Sequence, residues 1–247
     1  MDRGNWCIAD SVLAGVSYGR YNIPALIESI AITNDKHLSL LENRLDAMMH
    51  FTISRHSMYR QVYQHRVLKA ADMIDRSIVQ RARDIGSALT FFDSYMKEAL
   101  AAKSPDDLSL KTIYWMRESW WEYHISRWSE GEDKILADLS RRLLTRNLFK
   151  TVRVAETDNK EELRKHAAQA VEACGYDPKY YLHEVSTFDM HADDYRQSML
   201  VRMDDGRVRH LTDAEPLFHA LATESKNAKK MWFVMPKEAK AKLGRER

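Results

Sequence analysis

Along the first 150 residues the apolar positions recur at helical spacing. Between about Leu40 and Ile85 there is no glycine or proline, and Leu45, Met48, Met49, Ile53, Met73, Ile74 and Ile78 keep that spacing, which predicts one long helix or a broken pair. Residues 2–13 predict a short helix ending near Gly15. Gly15 and Gly19 break it, and Pro24 suits the first turn of a next helix over Ala25–Ile32. Further helices are expected at Ala88–Ala101, closed by Lys103-Ser104-Pro105, and at Asp133–Leu144, with Asp106–Leu110 as a loop. The stretch KTIYWMRESWWEYHISRW between them is dense in aromatics. Trp115, Trp120, Trp121 and Trp128 suit a core or an oligomer contact.

At about residue 150 the texture changes. Thr151–Ala155 alternates like a strand, Lys160–Cys174 reads as a helix stopped by Gly175, and Tyr180–Val185 reads as a strand. Ser198–Met203 and Arg207–Leu211 flank Asp204-Asp205-Gly206, a hairpin pattern with Asp-Gly as the turn. Thr212–Thr223 is expected as a helix, Met231–Met235 as a strand, and a basic helix follows Pro236. The fold class is therefore mainly α: a helical body over residues 1–150, almost wholly helical, then a small α+β domain with an antiparallel sheet over 151–247.

Hydrophobic residues make up 45% of the chain and charged residues 30%, which suits a globular core. A formal net charge of +2 provides no field for nucleic acid or a membrane surface. No apolar run approaches the ~20 residues of a membrane helix. Cys7 and Cys174 are far apart without metal-type spacing, which points to a reducing cytoplasm. There is no glycine-rich phosphate loop, no Gly-x-Ser-x-Gly elbow and no Cys-x-x-Cys pair. The basic tail KEAKAKLGRER reads as a solvated helix end.

Two stretches carry candidate chemistry. In RHSMYRQVYQHRV, at about 100° per residue, Arg55, Tyr59, Tyr63 and Arg66 share a face flanked by Met58 and Val62. Two guanidinium groups and two phenols there suit an anionic ligand with a ring, since arginine forks onto phosphate oxygens. The alternative is an ordinary amphipathic helix whose tyrosines pack and whose arginines reach solvent. In the first helix Asp2, Trp6 and Asp10 recur every four residues beside Arg3. The alternative there is a surface helix with ordinary charges.

Three motifs together resemble the HD-domain phosphohydrolases, in particular their deoxynucleoside triphosphate triphosphohydrolase branch. DRGNWCIADS resembles the family's D-R/K-x-D-Y-x-x-R-D element, RHSMYRQVYQH its R-x-x-(M/L)-(Y/H)-x-x-(V/A)-Y-x-H helix, and RRLLTRNLFK its R-x-L-(F/Y)-K element. The resemblance covers about residues 2–150 well and the rest loosely. It implies that residues 1–150 are the C-terminal portion of an HD-type all-helical domain and 151–247 an α+β appendage. It implies Asp2 as the last metal-ligand aspartate, Arg3 and Arg55 on phosphates and Tyr59 near them. Asp10 would meet the sugar 3′-hydroxyl, and Tyr63 and Gln64 would lie beside sugar and base. Trp6 stands where the family has Tyr, so an aromatic wall is kept and a hydroxyl lost. Asn5 and Ala9 replace the family's acidic and arginine residues.

The family's metal site also takes a His and an adjacent His-Asp pair, and this sequence has no His-Asp dipeptide. His50, His56 and His65 have no carboxylate partner placed to rebuild the set. The resemblance therefore implies a fragment, a late start, a split gene or a decayed paralogue. In the complete enzyme a divalent metal (Mg, Mn, Fe or Zn) would activate a water that attacks the α-phosphorus and releases triphosphate. The chain alone is expected to be inactive. The other function class is a non-catalytic nucleotide- or partner-binding assembly module. Expected partners are a nucleotide substrate or effector and a second copy or complementing upstream half.

Overall fold

Side-chain caps at Asn22, Asp93, Asp133 and Asn159 fix where several helices start. The computed structural model describes residues 2–187, 199–224 and 230–244. Its main helices are α1 (Asp2–Leu13), α2 (Ile23–Glu28), α3 (Leu45–Met58), α4 (Arg66–Ile85), α5 (Ser94–Ala101), α6 (Leu110–Trp115), α7 (Glu118–Ser129), α8 (Lys134–Leu144) and α9 (Lys160–Glu172). The strands are β1 (Ile30–Ile32), β2 (Leu38–Leu41), β3 (Lys150–Val154), β4 (His183–Thr187), β5 (Leu200–Arg202), β6 (Val208–His210) and β7 (Lys230–Met235). The chain is mainly α-helical with two small sheets, as its patterning predicts. It packs as two compact units, each assembled from separated stretches. The texture change near residue 150 marks the start of β3, whereas long-range pairing draws the units.

The first unit gathers residues 1–65 and 186–230. Its sheet has the order β1-β2-β5-β6, with β1–β2 and β5–β6 antiparallel and β2–β5 parallel. The Asp-Gly hairpin is thus present, although Ser198 at its start lies outside the described residues. Leu40 sits opposite Val201, both fully buried, and Leu45, Met49, Leu211 and Phe218 complete the core around them.

Two expectations are corrected in this unit. The helix expected over Ala25–Ile32 ends at Glu28, because Ser29 caps it: its N–H bonds back to Ala25 O and its Oγ donates to Leu26 O at 2.6 Å. The β-branched Ile30 and Ile32 then suit a strand. Residues 1–150 are consequently not almost wholly helical. Leu38–Leu41 is a strand whose partner on one side comes from residues 200–202, a pairing no local pattern encodes. The long 40–85 segment is a broken pair. A π-helical turn, Tyr59–Tyr63, follows α3 and closes with Gln64 N–H donating to Tyr59 O at 2.8 Å.

The second unit gathers residues 66–185 and 231–247. The stripe Ala70, Ile74, Ile78 and Ala82 of α4 packs in one core with Leu136 and Leu139 of α8, Val152 of β3 and Phe233 of β7. Each fully buried Leu, Ile, Val or Phe side chain here contributes about 1.5–3 kcal/mol. The sheet order is β3-β7-β4, with β3 and β7 antiparallel. Arg81 forks onto Asp133, the N-cap of α8, at 3.1 and 2.6 Å, and so ties α4 to α8.

Helix α5 begins at Ser94 rather than Ala88, because Asp93 accepts from Met96 N–H at 2.7 Å and fixes the start. Tyr180 and Tyr181 lie in a helical turn, Pro178–Tyr181, and the strand begins at His183. The aromatic stretch divides into α6 and α7. Of its tryptophans Trp128 is buried, Trp120 and Trp121 are half-buried, and Trp115 is exposed.

Candidate functional site

Within the first unit α1 packs on α3. The packed face of α1 is Cys7 and Ser11, both fully buried with Met58 of α3. Gly19 permits this approach: a Cβ there would stand 2.3 Å from Cys7 O, 2.9 Å from Ser11 Cβ and 3.0 Å from Met58 Cγ. The return loop is pinned on both sides. Ser11 Oγ donates to Val16 O at 2.7 Å, and Ser54 Oγ of α3 donates to Arg20 O at 3.0 Å.

With one face of α1 committed to packing, Trp6 and Asp10 meet the end of α3. The Tyr63 hydroxyl donates to Asp10 Oδ2 at 2.7 Å. The Trp6 ring meets Tyr63 edge-on at 5.3 Å and Tyr59 at 6.4 Å, and the two tyrosine rings lie 5.3 Å apart. Arg55 is buried at 7% exposure. Its guanidinium carbon lies 5.0 Å from the Tyr59 ring centroid, and Nη2 makes a long contact to the Tyr59 hydroxyl at 3.4 Å. The structure thus brings Trp6, Asp10, Arg55, Tyr59 and Tyr63 into one cluster of three rings, a carboxylate and a guanidinium.

The electrostatics follow from burial. Burial, then the bond to Asp10, holds the Tyr63 phenol well above its ordinary value, so it stays a donor. Burial pushes the Cys7 thiol up to about 11, with Arg55 opposing and Asp10 adding to the rise. Cys7 is therefore a packed thiol rather than a nucleophile.

The other expected positions are not shown as members of this cluster. Asp2 and Arg3 lie on the backbone of α1, but their side chains fall outside the described residues. Gln64 closes the π turn through its backbone. Arg66, expected on the same face as Arg55, instead opens α4, is exposed and belongs to the second unit. The extra residue of the π turn and the break after it interrupt the helical phase that the expectation assumed.

Sequence reading placed Met58 beside the candidate face but passed over Ser11 and gave Cys7 and Gly19 no part in the site, although all four place it. The i, i+4 spacing of Cys7 and Ser11 was a usable signal, whereas Gly19 read only as a helix breaker.

Among the described residues no three His, Cys, Asp or Glu side chains gather where they could hold a metal ion. In the cluster itself Asp10 accepts from Tyr63 and Cys7 is a protonated thiol at neutral pH. These residues do not make the donor set of a divalent metal.

The chain belongs to the HD associated region family, whose pattern matches residues 23–247. It is similar to YwfO of Bacillus subtilis, an uncharacterised protein, at 26% identity over 244 residues, covering 94% of this chain and 54% of that protein. An uncharacterised protein of Methanocaldococcus jannaschii matches at 28% over 87 residues, 34% of this chain and 19% of its own. The chain spans about half the length of YwfO and less of the second relative. Among solved structures it shares the fold of a phosphohydrolase from Bacteroides thetaiotaomicron, with a TM-score of 0.78 at 22% identity, covering 96% of this chain and 61% of that one. Among the described residues no helix is long and apolar enough to cross a membrane.

Proposed function

We propose that this chain forms the nucleotide-contacting part of an HD-type metal-dependent phosphohydrolase acting on (deoxy)nucleoside triphosphates. The meeting of Trp6 and Asp10 with Arg55, Tyr59 and Tyr63 carries the reading. In it Arg3 and Arg55 take phosphate oxygens, and Trp6, Tyr59 and Tyr63 form the aromatic wall of the sugar. Asp10 accepts from Tyr63 and keeps lone pairs for a sugar hydroxyl, and Gln64 lies toward the base. Asp2 is proposed as a metal ligand of the whole protein. The His…His-Asp ligands are absent from these 247 residues and would come from elsewhere in it.

The proposal includes assembly, as a homo-oligomer or with a complementing upstream half, supported by the exposed Leu110, Ile113, Tyr114 and Trp115 of α6. The donor set of the described residues favours a second reading for the chain by itself, a nucleotide- or partner-binding module without hydrolysis.

The test pairs binding with turnover. Calorimetry of the purified chain is expected to show saturable deoxynucleoside triphosphate binding. Affinity for a 2′,3′-dideoxy analogue should be roughly ten- to a hundredfold lower, since a hydrogen bond to a carboxylate contributes about 1.5–3 kcal/mol. Asp10→Asn should shrink that difference. An absence of saturable binding overturns the nucleotide reading. Triphosphate release is expected to be nil with Mg²⁺ or Mn²⁺, and turnover that disappears in Asp2→Ala would refute the count of ligands.

A further inference from the structure

A cavity of about 670 Å³ lies in the second unit, among α4, α5, α7 and the loop after α5. Its wall is largely carbon, including Met96, Leu100, Trp120 and Trp121. The indole nitrogens are engaged elsewhere, Trp120 with Asp93 at 2.8 Å and Trp121 with Asp75 at 3.1 Å, so these rings add apolar surface. The charged groups of the lining are Arg83, Lys103 and Arg117 against Glu118 alone. Arg83 and Leu100 also line a second cavity of about 460 Å³, which carries Lys97. An apolar chamber with an excess of cations is complementary to a molecule that is mostly hydrocarbon and carries an anionic end.

The chamber is held by polar bonds. Asp107 accepts from the N–H groups of Lys103 and Ser104, both at 2.9 Å, and fixes the loop. Glu98 of α5 accepts from Ser109 N–H and from the Thr112 hydroxyl, each at 2.6 Å, and ties the loop's far end to α6. Arg83 Nη2 donates to Ala102 O at 3.0 Å and Ala99 O at 3.5 Å, anchoring the end of α5 and leaving its other donors for a ligand. These bonds set the wall independently of what fills it.

We propose that this cavity binds a free, single-chain amphipathic organic anion. The class is a long-chain aliphatic carboxylate, since a cavity of about 670 Å³ lies within the range of small-molecule sites. The chain lies against Leu100, Trp120 and Trp121, and the carboxylate is held by Arg83 and Arg117 with Lys103 adding charge.

The experiment is calorimetric titration of the full chain with dodecanoate below its micelle concentration, beside dodecanol and butyrate. Dodecanoate is expected to bind saturably at least tenfold more tightly than dodecanol, and butyrate not to saturate. Lys103→Gln with Arg117→Gln, two exposed positions, should weaken dodecanoate at least tenfold and leave dodecanol unchanged. Leu100→Trp, which fills the chamber, should weaken both. Absence of saturable dodecanoate binding overturns the proposal. So does equal affinity for acid and alcohol, or a double variant that binds like the parent. A chain that light scattering shows to be dimeric and that takes up no dodecanoate overturns it as well.

Discussion

Gly19→Ala tests whether close approach of α1 to α3 builds the site. The added Cβ would stand 2.3 Å from Cys7 O, a backbone atom that cannot rotate away, and 2.9 Å from Ser11 Cβ. Relief requires α1 to shift as a body. Overpacking of this kind costs about 1–3 kcal/mol, and a backbone obstacle places Gly19 at the upper end. For a chain of this length a change of about 3 kcal/mol lowers the melting temperature by about 6–12 °C. Gly15→Ala is the control. Gly15 has φ +67 and nothing within 4 Å of an added Cβ, so only the left-handed backbone cost of roughly 1–2 kcal/mol applies. A thermal melt followed by circular dichroism is expected to rank the parent above Gly15→Ala and that above Gly19→Ala. Because the shift carries Trp6 and Asp10 with it, Gly19→Ala should also move tryptophan emission to longer wavelength by exposing the Trp6 ring to water, a change absent from a Trp6→Phe background. If Gly19→Ala melts no lower than Gly15→Ala, α1 is not held by this contact and the argument for a built cluster fails.

Tyr63→Phe removes the donor to Asp10 and is expected to cost about 1.5–3 kcal/mol at neutral pH, read by urea titration. The Tyr63 phenol is raised in the folded state, so its contribution is full below the unfolded value near 10 and declines as pH rises above it; alkaline loss of stability should be smaller in Tyr63→Phe. Cys7 is fully buried with its thiol pushed to about 11, whereas Cys174 is half-buried, so iodoacetamide at pH 8 is expected to label Cys174 first and Cys7 only after urea. Equal labelling rates in the native chain would contradict the packing of α1.

The sequence by itself determined the helices and the pairs of residues one turn apart on them. Trp6 and Asp10 on α1, Arg55 on α3 with Tyr59 one turn on, and the Asp-Gly hairpin are all legible because helical phase and turn chemistry act over a few residues. The caps at Ser29 and Asp93, which move two helix boundaries, are local as well, but they compete with an apolar pattern that runs on past them. Tertiary structure alone decided that Leu38–Leu41 pairs in parallel with Leu200–Arg202, and that each unit is assembled from separated stretches. It also decided that α1 lies close enough to α3 for Tyr63 to reach Asp10 across 53 positions of sequence. The physical reason is that strand pairing and helix contact are set by surfaces that meet only after collapse. A short run such as Leu38–Leu41 does not name its partner, and a glycine after a helix reads as a breaker until the carbonyl it approaches is in place.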